Sequence, residues 1–86
     1  YMHNNTAHEP LTKLKTGNKG IIRELRGGKE FQRRMVAMGI VPGIEIEVIY
    51  HAHGHGAPII ISFLGTKLAL GHGMANKIIV EKQVKT

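Results

Sequence analysis

Between residues 44 and 48 apolar and acidic side chains alternate one by one. Ile44, Ile46, Val48 and Tyr50 fall on one face of an extended chain, and Glu45 and Glu47 fall on the other. A helix repeats its apolar positions every three or four residues, so this pattern demands a strand with one dry face and one wet face. A lone strand cannot cover its dry face. The remaining residues of an 86-residue chain must therefore supply partner strands within one domain. A domain this small hides only about 60% of its unfolded surface, which calls for a tight core.

Glycine and proline divide the rest of the chain. Residues 11–17 lead into a turn at Thr16-Gly17-Asn18. Residues 20–25 read as a first strand, with a bend or bulge because Ile21, Ile22 and Leu25 do not alternate cleanly. Residues 29–38 read as the one substantial helix, with Phe31, Met35 and Met38 on a single stripe. Gly39 suits the left-handed position past a helix end, and Pro42 stops any continuation. Residues 51–57, His-Ala-His-Gly-His-Gly-Ala, read as a flexible connection. Residues 58–64 form a second apolar strand, Gly65-Thr66 a two-residue hairpin turn, and 67–70 the return strand. Residues 71–76 suit one short helical turn, and 77–82 a closing strand with Ile78 and Val80 inward. The expected architecture is mainly β, a small barrel of about five strands with one short helix after the first, covering an end of the sheet.

Residues 1–10 are expected to be a flexible arm, with Tyr1 ahead of Met2 foreign to the natural chain. The domain is expected over 11–83, and 84–86 form a tail. The arm lacks the apolar stretch of a secretory signal, and no window approaches the 18–20 apolar residues of a membrane span. Cysteine is absent, so no disulfide or thiolate site is available, in keeping with a reducing cytoplasm.

Catalysis has little to work with. Aspartate and cysteine are missing, the six acidic residues are scattered glutamates, and the one serine, Ser62, lies inside an apolar strand. Gly27-Gly28 lacks the lysine and hydroxyl residue of a phosphate loop. The expectation is a binding protein, not an enzyme. Twelve Lys and Arg against six Glu give a net charge of +6, which favours an anionic partner. Arg33-Arg34 is the one true arginine doublet.

The segment Arg34-Met35-Val36-Ala37-Met38-Gly39-Ile40-Val41-Pro42-Gly43, then Ala57-Pro58-Ile59, then Leu68-Ala69-Leu70 with Ala75 and Ile78-Ile79-Val80, resembles the FeoA family of ferrous-iron uptake proteins. The likeness spans about seventy residues in the family's order, and each piece alone is unspecific. It implies a barrel like that of Src-homology-3 domains. It also implies an accessory role in the cytoplasm, peripheral to the inner membrane through the cytosolic GTP-binding part of the membrane iron transporter FeoB. Two departures stand out: methionine at 35 and 38 where leucine is frequent, and histidine and glycine in a loop that often carries an acidic residue. The same domain occurs attached to metal-dependent repressors, but this sequence has no helix-turn-helix portion.

Under that reading Lys29, Arg33 and Arg34 on the exposed helix face, with Pro42 and Gly43, are the candidate partner-binding residues, and the 51–57 loop is a second surface. His51, His53 and His55, with His72 as a fourth, are candidate ligands for a divalent transition metal, iron or zinc. Alternate residues of an extended segment lie about 7 Å apart, so the three loop histidines converge only if Gly54 and Gly56 bend the chain. A mobile loop collecting metal adventitiously is the plainer reading. The competing function is nucleic-acid binding through Lys19, Arg23, Arg26, Arg33 and Arg34, set against a scarcity of aromatic stacking platforms. Self-association is compatible with everything above.

Overall fold

The computed structural model describes residues 8–54 and 56–83. Six antiparallel strands form one sheet: β1 (His8–Pro10), β2 (Lys19–Leu25), β3 (Glu45–His51), β4 (Ile59–Phe63), β5 (Thr66–Leu70) and β6 (Ile78–Lys82). Their order across the sheet is β1-β6-β2-β3-β4-β5. Helix α1 (Lys29–Ala37) joins β2 to β3, and the single turn α2 (His72–Ala75) joins β5 to β6. The mainly β architecture with a helix after the first long strand agrees with the sequence. The strand count is six rather than about five, and the sheet is open.

The additional strand is β1, where the sequence suggested a flexible arm. His8, Glu9 and Pro10 pair with Glu81, Val80 and Ile79. Nothing local marks His8-Glu9-Pro10 as a strand. The edge of β6, some seventy positions away, supplies the hydrogen bonds. Residues 1–7 and 84–86, the rest of the arm and the tail, lie outside the described residues.

The core is aliphatic. Ile22, Met35, Ile40, Val48, Ile61, Leu70, Ile78 and Val80 are wholly buried, each worth roughly 1.5–3 kcal/mol against exposure. Among the described residues no polar or charged side chain is buried. Gly20 lies beneath this core, where an added Cβ would stand 3.1 Å from the Val80 Cβ.

Two irregularities decide which side chains face inward. Between Ile22 and Glu24 the β2–β6 register shifts, which lets Ile22 and Leu25 both reach the core. Between Val48 and Tyr50 the β3–β4 register shifts as well. Directly paired residues share a face. Val48 opposite Ile61 therefore points inward, Tyr50 opposite Ile60 outward, and His51 opposite buried Ile59 inward. Tyr50 is half exposed, which corrects its inward placement from alternation alone. One further correction concerns the β4–β5 hairpin. Phe63 pairs with Thr66, so the turn is Leu64-Gly65, with φ of +48° and +78°. Two positive φ angles make the type I′ turn whose twist matches the flanking strands.

Candidate docking face and histidine cleft

Helix α1 is fixed to the sheet from both ends. Phe31 and Met38 pack against the core and Met35 enters it. The Gln32 amide donates to the carbonyls of Leu25 (3.2 Å) and Gly27 (3.1 Å), clamping the first turn onto the end of β2. The Lys77 ammonium lies 5.3 Å from the Phe31 ring centre. At the other end, Gly39 N–H donates to the Val36 carbonyl (2.9 Å) and Ile40 N–H to the Met35 carbonyl (2.8 Å). This is a Schellman closure with Gly39 at φ +86°. Gln32 carries no signal of its role in the sequence, because its partners are backbone carbonyls beyond the helix.

The outer face of α1 holds Lys29, Arg33 and Arg34, all exposed. Arg33 pairs with Glu30 at 3.0 Å on the same face. Among the described residues Lys29 and Arg34 have no carboxylate partner. Arg34 lies in the last helical turn, where a cation suits the carbonyl end of the dipole. Pro42 and Gly43 form the turn into β3. Ile44 N–H donates to the Val41 carbonyl at 3.2 Å, and Gly43 takes φ +98°, as the third residue of a type II turn requires. Gly43 N–H donates to the Ile22 carbonyl and Ile22 N–H to the Ile44 carbonyl, which pins this turn to β2. The structure thus presents the helix face and the Pro42-Gly43 turn on a rigid base.

The histidines divide into separate settings. The ring Nε2 of half-buried His51 lies 2.7 Å from the Leu14 carbonyl oxygen. A carbonyl only accepts, so Nε2 carries the proton and Nδ1 keeps the free lone pair. His51 and His72 line the same open cleft of about 410 Å³ beside the 52–57 loop. Gly54 (φ +112°) and Gly56 (φ +73°) do bend that loop. His53, however, is exposed and meets the Tyr50 ring edge-on at 6.3 Å between centres. His55 lies outside the described residues. Among the described residues no three histidine or carboxylate side chains come together as a metal site.

The cations of the nucleic-acid alternative are largely engaged. Arg23 pairs with Glu81 at 2.6 Å, Arg26 with Glu24 at 3.2 Å and Arg33 with Glu30. Lys19 is exposed. Phe63 is buried and Phe31 partly so, which leaves Tyr50 as the exposed aromatic side chain among the described residues. Base stacking finds little purchase here.

Fold and surface together define a class: a small, mainly β, SH3-like domain that displays its polar groups on the outside of a dry core. Within that class the chain belongs to the FeoA family, whose domain model matches residues 9–82. It is 39% identical over 72 residues, covering 84% of each chain, to a protein of Methanocaldococcus jannaschii named as a candidate Fe(2+) transport protein A. The crystal structure of an iron uptake regulatory protein, FeoA, superimposes with a TM-score of 0.80 at 38% identity, covering 90% of this chain and all of that one. The solution structure of a FeoA-like protein from Clostridium acetobutylicum gives 0.82 at 27% identity, covering 95% and 94%. A manganese-dependent transcriptional repressor shares the fold at 17% identity, over 44% of its own length. No helix among the described residues is long and apolar enough to cross a membrane.

Proposed function

We propose that this protein is an accessory factor of ferrous-iron uptake that acts by docking on the cytosolic GTP-binding part of the membrane transporter FeoB. Membership of the FeoA family and the transport role named for its M. jannaschii relative support the process. The observation that carries the docking reading is the pair of exposed cations on the outer face of α1, Lys29 and Arg34, which have no carboxylate partner among the described residues, with the backbone-pinned Pro42-Gly43 turn at the helix end. An anionic surface on the transporter domain is the complementary partner. In this reading the protein is cytoplasmic, held at the inner membrane through its partner, and works by binding rather than catalysis.

The test is direct binding of the full chain to the purified GTP-binding domain at two salt concentrations. Saturable binding that weakens at high salt is the expected result. No binding at either salt removes the docking reading.

A second reading concerns metal. His51 and His72 share one cleft, and the remaining lone pair of His51 is on Nδ1. A divalent ion, iron or zinc, would be held by these two imidazoles with water completing its shell, as a weak site. Titration with zinc or ferrous iron, monitored by calorimetry, tests it.

A further inference from the structure

Leu64 is costly twice over. It is the one non-glycine residue at positive φ among those described, at +48°, a region in which the Cβ of leucine crowds its own backbone. It is also 75% exposed, more than Val36 or Tyr50, the other large apolar side chains in solvent. Asparagine at this position of a type I′ turn would remove both penalties. Backbone strain combined with an exposed apolar side chain marks a residue displayed for contact.

Its surroundings say what kind of contact. Phe63, next in the chain, stands 3.5 Å from where a Gly39 Cβ would be, so the hairpin tip lies beside the end of α1. Because β3 runs antiparallel to β4 with Glu47 opposite Ser62, the Pro42-Gly43 turn falls at this same end. On the sheet side Leu64 borders a small groove of about 160 Å³, lined also by Lys19, Glu45 and Glu47. The groove beside Leu64 therefore carries charge of both signs, Glu45 and Glu47 with Lys19. A uniformly anionic lipid surface does not complement such a groove, whereas a protein pocket of mixed sign does.

We propose that Leu64 is the apolar anchor of the docking face: it inserts into a hydrophobic pocket of the protein partner, whose rim sets a cation opposite Glu45 and Glu47 and a carboxylate opposite Lys19. This rests on the transporter-docking reading above and names the residue that seats it.

The experiment compares wild type with Leu64→Asn, Leu64→Gly and Leu64→Met, each measured for melting temperature, binding to the transporter's GTP-binding domain, sedimentation, and binding to vesicles with 30% anionic lipid. The expected result is that Asn and Gly melt at or above wild type yet bind the domain at least tenfold more weakly, while Met retains binding. If wild type binds and the Asn and Gly variants bind equally well, the anchor is overturned and the docking reading stands. If wild type binds no transporter domain, both fall together. Loss of self-association in the Asn variant with unchanged domain binding assigns Leu64 to a second copy instead, and loss of vesicle binding alone assigns it to lipid. Either outcome overturns the proposal.

Discussion

The His51 ring donates through Nε2 to the Leu14 carbonyl oxygen at 2.7 Å, which ties the end of β3 to a segment 37 positions earlier in the chain. The one-residue shift in the β3–β4 register makes this bond. Strict alternation would send His51 outward and Tyr50 inward, and the bulge exchanges them. A histidine that looks like a loop ligand is thereby a structural residue on one of its nitrogens.

His51→Ala is expected to lower stability by about 1–3 kcal/mol, because it strands the Leu14 carbonyl as well as removing a bond. For a domain of this size that corresponds to a fall in melting temperature of several degrees. A melting curve indistinguishable from wild type would show that solvent replaces the contact without cost.

Metal binding should separate from stability at His72. This residue is exposed and shares the cleft with His51, so His72→Ala should weaken zinc binding while leaving the melting temperature unchanged. Replacing His51, His53 and His55 together should lose both. His53→Ala alone should change neither, since its described contact is with Tyr50. Calorimetric titration of the four proteins distinguishes these outcomes.

The two methionines of α1 should differ. Met35 is wholly buried and Met38 only partly so, although both lie on the same stripe. Met35→Ala is expected to cost about 2–5 kcal/mol and Met38→Ala clearly less, read from urea midpoints. Met38→Asp should cost more than Met38→Ala, by setting a carboxylate partly against the core.

Gly39→Ala tests the helix closure. The added methyl would meet Phe63 at an ordinary 3.5 Å, so its cost comes from φ +86° and should be about 1–2 kcal/mol. Gly28→Ala, at the open helix start with φ −72°, is the matched control and should change stability by far less. Equal effects at the two sites would mean that the left-handed closure contributes nothing.

Charge reversal at Arg33 and Arg34 should leave the melting curve close to wild type. The Arg33–Glu30 pair is solvent-exposed on both sides, and exposed pairs contribute little. The same double variant should bind the transporter domain markedly less well. Unchanged affinity in a binding assay would remove this face from consideration.

The sequence by itself determined whatever depends on near neighbours. Alternation over 44–48 settles β3, the Phe31–Met35–Met38 stripe with Gly39 settles α1 and its end, and Pro42-Gly43 settles the turn, because each is governed by the period of a regular element or the φ of one residue. The exposed basic residues of α1 were legible for the same reason. Tertiary structure alone decided β1, which exists because β6 offers an open edge. It decided the inward turn of His51 and the outward turn of Tyr50, since a bulge is defined only against a partner strand. It also decided the display of Leu64, because the register of β4 on β5 chooses which two residues make the turn. Pairing between distant segments carries no local period, so one inserted residue can exchange the faces of all that follow.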